Sequence, residues 1–115
     1  MTESIRARAQ KQIPLALVAM DSGRLLGTVS LKHNDLEGAP YSPWLAGLYV
    51  SKGHRGKGVG THLVQACLDH AGRLGVRKLF LWTPSAKLFF RQLGWQPVAE
   101  QEHGGSVITI MVRDL

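Results

Sequence analysis

The sequence predicts an α/β domain on a mixed, mostly antiparallel sheet, with parallel pairing only where a helix crosses over. Three observations lead there. Short Leu- and Val-rich runs alternate with turn-forming clusters, two segments carry helical periodicity, and Leu79-Phe80-Leu81-Trp82 is apolar on both faces, as an interior strand must be. The chain has 115 residues, is 44% hydrophobic and 19% charged, and contains no repeat or low-complexity linker. Residues 1–115 therefore read as one domain.

Residues 1–11 suggest a short helix or a frayed tail. Ile13 to Met20 and Arg24 to Leu31 flank Asp21-Ser22-Gly23, which predicts an antiparallel hairpin. Residues 33–43, with Gly38, Pro40 and Pro43, predict an exposed loop. Trp44 to Val50 reads as a buried strand leading into a Gly-rich stretch, 53–60. In the helix that follows, Leu63, Cys67, Ala71 and Leu74 fall on one face and Gly75 supplies the stop. Val76 to Thr83 is the interior strand. Ser85 to Leu93 predicts a short helix with Ser85 as N-cap and Gly94 as terminator. Trp95 to Glu102 and Ser106 to Arg113 then close the chain as a hairpin around His103-Gly104-Gly105.

Composition narrows the function. A single cysteine, Cys67, can form neither an intramolecular disulfide nor a cysteine-based metal site, so no oxidising compartment is required and the default expectation is cytoplasmic. Its place on the apolar helix face predicts a buried structural role. The longest apolar run, Ile13 to Met20, is too short for a bilayer span, and the N-terminus lacks a secretory pattern. Of the net charge of +6, residues 51–115 contribute nine Lys/Arg against four Asp/Glu. That half should attract an anion, either nucleic acid or a small polyphosphate. The aromatics lie inside apolar runs and not among exposed basic residues, which disfavours nucleic acid.

Chemistry concentrates in Arg55-Gly56-Lys57-Gly58-Val59-Gly60, between a strand and a helix. Three glycines let a ligand approach the backbone, and the helix start offers unpartnered N–H groups and a favourable dipole to a phosphate. Arg55 and Lys57 add positive charge. The nucleotide P-loop is excluded because Val59 and Gly60, not Lys and Ser/Thr, follow Gly58, and the dinucleotide fingerprint fails at Thr61. Without context, the stretch could equally be a flexible basic turn.

The loop resembles the R/Q-x-x-G-x-G/A signature of the GNAT superfamily of acyl-CoA-dependent N-acetyltransferases. LYVSKGHRGKGVGTHLV, Leu48 to Val64, is similar to that family's strand, pyrophosphate loop and helix. AKLFFRQLGW, Ala86 to Trp95, is similar to its A-x-x-F-Y-x-x-L-G-F segment. The resemblance runs from about Ile13 to the C-terminus. It implies a GNAT-like sheet flanked by helices and shortened at its N-terminus, because most members place a strand and two helices before the hairpin.

The resemblance also implies acetyl-CoA as co-substrate, with no metal, and transfer of its acetyl group to a small amine or a protein amine by direct attack on the thioester. Main-chain groups of Leu48, Tyr49 and Val50 would pair with the pantetheine arm. An N–H there, assigned to Leu48, would face the thioester oxygen. Arg55 through Gly60 and Thr61 would hold the phosphates, and Phe89 and Phe90 would line the coenzyme. His54 sits in the phosphate loop; His62, His70 and His103 are expected at the surface.

Two positions depart from the family pattern. Phe90 stands where many members carry a tyrosine acid, a modest loss because a thiol with a pKa near ~8.5 leaves largely as thiolate. The strand Trp44 to Val50 holds no carboxylate or histidine where a base is often placed. Asp35 is the first candidate to anchor a proton relay, with Glu37 and His33 behind it. The missing N-terminal elements would leave an open acceptor site, one completed by a partner subunit such as a second copy in a homodimer, or a non-catalytic CoA-binding or interaction module.

Overall fold

The computed structural model describes residues 13–115, together with the backbone of 4–7. One seven-stranded sheet runs in the order β1-β2-β3-β4-β5-β7-β6. Its strands are β1 (Ser4–Ala7), β2 (Leu15–Asp21), β3 (Arg24–Lys32), β4 (Trp44–Val50), β5 (Lys78–Thr83), β6 (Gln96–His103) and β7 (Ser106–Asp114). Helix α1 (Val59–Arg73) crosses over between β4 and β5, and α2 (Lys87–Gln92) joins β5 to β6. All neighbours are antiparallel except β4 and β5, as a helical crossover requires.

The strand β1, paired with β2 from Ser4↔Met20 to Ala7↔Leu17, corrects the expected helix or tail for that segment. The rest of that expectation, 1–3 and 8–11, lies outside the described residues. Both hairpins close through two residues of positive φ, Ser22 and Gly23 in one and Gly104 and Gly105 in the other. That turn matches the right-handed twist of the strands it joins.

The two helices end alike. After α1, the N–H of Gly75 donates to the Gly72 carbonyl and that of Val76 to Ala71; after α2, Gly94 donates to Arg91 and Trp95 to Phe90. In each pair the glycine takes a left-handed φ, so the residue after it belongs to the cap. This is why β5 starts at Lys78 and β6 at Gln96, later than the expected strands at Val76 and Trp95. The expected Ser85 cap is also corrected. Ala86 occupies the N-cap of α2, and the buried Thr83 hydroxyl accepts from the N–H groups of Ser85 and Ala86 at 3.3 and 2.9 Å.

The main core lies between the sheet and α1, where Leu17, Leu26, Val29 and Leu31 meet Leu63, Cys67 and Ala71. A second cluster covers the opposite face, and here the loop 33–43 departs from expectation. Its Leu36 is buried beside Trp44, Phe80, Ile108 and Ile110, with Tyr41 stacked on Phe80 at 4.8 Å. An apolar sheet face needs cover, and among the described residues no helix contributes to that cluster.

Cys67 is fully buried, and loss of hydration pushes its thiol up to about 12. The folded chain then keeps a proton that the unfolded chain releases, so stability is expected to fall as pH climbs from the ordinary thiol range toward 12. Native protein at pH 8.5 should resist iodoacetamide, whereas urea-unfolded protein should be fully alkylated, as read by mass spectrometry. Ready labelling of the native state would contradict this burial.

Candidate active site

The site begins with an irregularity in β4. Thr28 pairs with Tyr49 and Ser30 with Ala46, so Gly47 and Leu48 together oppose the single residue Val29. Gly47 takes φ +61°, and this bulge bends the strand. With β5 the strand is registered only at Trp44↔Phe80, ahead of the bulge, so the bulged half of β4 stands apart from β5. Trp44, Leu45 and Ala46 are buried, but Gly47 and Tyr49 are exposed and Leu48 and Val50 half-buried. The expectation of a buried strand holds for its first half only. The edge of β4 facing β5 is left without a neighbouring strand, and a cleft of about 520 Å³ opens there.

A second cavity, of about 480 Å³, lies over the Gly-rich loop and meets the cleft at Leu48 and Phe89, so the two form one groove. Gly56 and Gly58 hold φ of +77° and +85°, and a Cβ at either would meet nothing within 4 Å. Backbone conformation, not crowding, demands glycine at both. Gly58 is the N-cap of α1, no side chain caps it, and the first turn contains no acidic residue. The first helical bond runs from His62 N–H to the Gly58 carbonyl. The N–H groups of Val59, Gly60 and Thr61 therefore have no helical acceptor and face a site suited to an anion. At Gly60 a Cβ would stand 3.6 Å from Val50 Cγ2 and 3.9 Å from Phe89 Cζ, on the groove wall.

Most of the expected residues converge here. Val50, Arg55, Gly56, Gly58, Val59, Gly60 and Thr61 line the loop cavity; Asp35 and Phe90 line the cleft; Leu48 and Phe89 line both. Tyr49 and Lys57 line neither. The Tyr49 ring turns outward beneath the Arg55 guanidinium, 5.7 Å from its centroid, while Arg55 Nε donates to the Val50 carbonyl at 2.9 Å. Arg55 thus lies along the end of β4, within reach of the loop. His54 also lines the loop cavity and is tied to the Ser51 hydroxyl at 2.7 Å. Phe90 is 6% exposed, set edge-on against Phe89 and Trp95, and combines a core role with a place in the cleft wall.

The cleft takes side chains from both faces of the sheet. Phe89 and Phe90 come from the helical side; Lys32, Asp35 and Trp82 come from the loop side. Asp35 accepts from the Trp82 indole N–H and lies 3.7 Å from Lys32 Nζ. Glu37 and His33, expected behind Asp35, are elsewhere. The Glu37 carbonyl accepts from Gln101, and His33 Nε2 lies 3.1 Å from the Ile13 carbonyl.

Lys32, Trp82 and Thr83 were not legible as site residues. Trp82 reads as core within its apolar run, although a half-buried indole usually needs a hydrogen-bond acceptor, which was the available signal. Among the described residues, no three His, Cys, Asp or Glu side chains gather to hold a metal ion, and no helix is long and apolar enough to cross a membrane.

Residues 2–95 match the acetyltransferase (GNAT) family. N-alpha-acetyltransferase 30 of Schizosaccharomyces pombe is 32% identical over 84 residues, 70% of this chain; the match spans 56% of that protein. Among solved structures, N-acetylglutamate synthase from Neisseria gonorrhoeae, complexed with coenzyme A and N-acetyl-glutamate, superposes with a TM-score of 0.72 at 25% identity. That likeness covers 87% of this chain and 25% of the synthase. A GNAT family acetyltransferase from Elizabethkingia anophelis with acetyl-CoA bound shares the fold at a TM-score of 0.77 and 12% identity, with 98% of each chain covered.

Proposed function

Because this chain belongs to the acetyltransferase (GNAT) family, we propose that it transfers the acetyl group of acetyl-CoA to a primary amine by direct attack on the thioester. One observation carries the proposal: the uncapped start of α1 and the bulge-opened edge of β4 form one groove, joined at Leu48 and Phe89. The dimensions suit an extended diphosphate ester. Its diphosphate would accept from the N–H groups at 59–61, with Arg55 and Lys57 supplying charge. Its pantetheine amides would meet the free edge of β4 much as an added strand does.

The thioester then falls in the cleft. Attack by the amine forms a C–N bond and places negative charge on the carbonyl oxygen, which the Leu48 N–H meets as a fixed donor. The C–S bond breaks and the sulfur leaves as thiolate; Phe90 has no proton to give, and a thiol pKa near ~8.5 makes acid assistance a small part of the barrier. The amine enters from the loop side, and its proton passes toward the Asp35 carboxylate, directly or through water.

An α-amine is the acceptor class this site suits. At pH 7 a lysine amine with a pKa near ~10.4 needs roughly 4–5 kcal/mol for deprotonation, against about 1 for an α-amine near ~7.7. With Asp35 the one carboxylate lining the cleft among the described residues, the lower cost fits better. The S. pombe relative, by its name an N-alpha-acetyltransferase, agrees with this choice.

The test is thiol release from acetyl-CoA with a panel of amines. At pH 7 a peptide α-amine should react roughly 400-fold faster than a lysine side chain, and the gap should narrow as pH rises toward 10. Coenzyme binding with no amine-dependent release would favour the non-catalytic module instead.

A further inference from the structure

The geometry points to Trp82 as the residue that positions Asp35 for proton removal, acting through that carboxylate and not on substrate. This inference rests on the acetyltransferase reading. The indole Nε1–H is shared between two acceptors of one residue, the Asp35 carboxylate Oδ2 at 3.0 Å and the Asp35 main-chain carbonyl at 3.2 Å. A single donor thereby fixes both the rotamer of the side chain and the place of the loop that carries it. All three participants, Lys32, Asp35 and Trp82, line the cleft.

Lys32 is the other group near the carboxylate, and it is the weaker anchor. Its Nζ stands 3.7 Å from Oδ1 on a half-exposed side chain. Such a pair contributes little, because a long side chain must be immobilised in high dielectric. The indole is already immobile: it packs with the cluster of Phe80, Ile108 and Ile110, and the His103 ring lies 5.0 Å from its centroid. A hydrogen bond to a charged acceptor from a donor with so little freedom to lose is the stronger constraint. With Oδ2 held by the indole, the carboxylate still has lone pairs to receive a proton from the amine or an intervening water.

The experiment is a double-mutant cycle of Trp82→Phe and Asp35→Asn, read as kcat with a peptide amine, KM for acetyl-CoA, and coenzyme affinity by calorimetry. Asp35→Asn should lower kcat about 100-fold and Trp82→Phe about 10-fold, with acetyl-CoA KM and coenzyme affinity unchanged in both. The double variant should match Asp35→Asn within about 2-fold, since Trp82 has nothing to position once the carboxylate is gone. Multiplying losses, or a Trp82→Phe enzyme with wild-type kcat, would overturn the assignment.

Where Trp82→Phe fails to fold, the wild type supplies the readout. Its Trp82 indole proton resonance should shift as the Asp35 carboxylate is protonated, and that shift should vanish in Asp35→Asn; an indole resonance indifferent to Asp35 overturns the proposal. Wild-type protein that binds coenzyme A but gives no amine-dependent thiol release would instead remove the acetyltransferase reading, and this inference with it.

Discussion

Combining Arg55→Glu with Gly58→Val is expected to abolish coenzyme A binding, lowering affinity at least about 100-fold while the far-UV circular dichroism stays native. Gly58 caps α1 at φ +85°, where a residue with a Cβ pays roughly 1–2 kcal/mol and a β-branched one more. The valine would rotate the peptide planes that aim the first N–H groups of α1 at the anion. Arg55→Glu replaces a cation beside the loop by an anion, turning attraction for a diphosphate into repulsion. Each change is worth about a tenfold loss or more, and a tenfold loss corresponds to about 1.4 kcal/mol. The fold should survive because both residues are exposed and Arg55 makes one hydrogen bond and one ring contact. Calorimetry with coenzyme A decides the matter, and unchanged affinity would remove the site from this loop.

Gly27→Val should produce the largest loss of stability, about 3 kcal/mol or more, enough to unfold a marginal domain. A Cβ on Gly27 would stand 2.5 Å from the Tyr49 carbonyl oxygen, 2.9 Å from Leu63 Cδ1 and 3.3 Å from Val50 Cα. Leu63 can change rotamer. The carbonyl and the Cα belong to β4, however, and can retreat only by breaking the β3–β4 ladder. Gly53→Ala is the control: its Cβ would meet nothing within 4 Å and its φ is not left-handed, so urea melts should place it within about 0.5 kcal/mol of wild type. A Gly27→Val protein as stable as Gly53→Ala would mean that β3, β4 and α1 do not approach as closely as described. Because Val50, whose Cα faces Gly27, also lines the loop cavity, milder substitutions at Gly27 should weaken coenzyme binding together with stability.

These two glycines mark how differently parts of the site could be read. The loop 55–60 announces itself through local chemistry: closely spaced glycines, flanking cations and an adjoining helical pattern occur within a dozen residues. Gly27 carries no such signal, since a glycine inside Arg24–Lys32 looks like any weak strand position until β4 and α1 are seen against it. Gly47 lies between them. An isolated glycine in an apolar strand hints at a bulge, but only the pairing of Thr28 with Tyr49 and Ser30 with Ala46 shows which residues are displaced.

The acceptor side was least legible. Asp35 could be named because its loop leads into β4, but Glu37 and His33, equally polar and only two residues away, do not line the cleft. What separates them is the Trp82 indole, 47 residues later in the chain.

The amino-acid sequence by itself determined the alternation of strands and helices, the hairpin and helix-ending glycines, the basic Gly-rich loop and the family to which these belong. Each depends on neighbours within one turn or one strand, where propensity and spacing act directly. Tertiary structure alone decided that β4 parts from β5, that the two cavities join, that Tyr49 faces outward, and that Asp35 is held in the cleft. Those outcomes depend on contacts between residues far apart in the chain, and no local pattern encodes which distant atoms a side chain will meet.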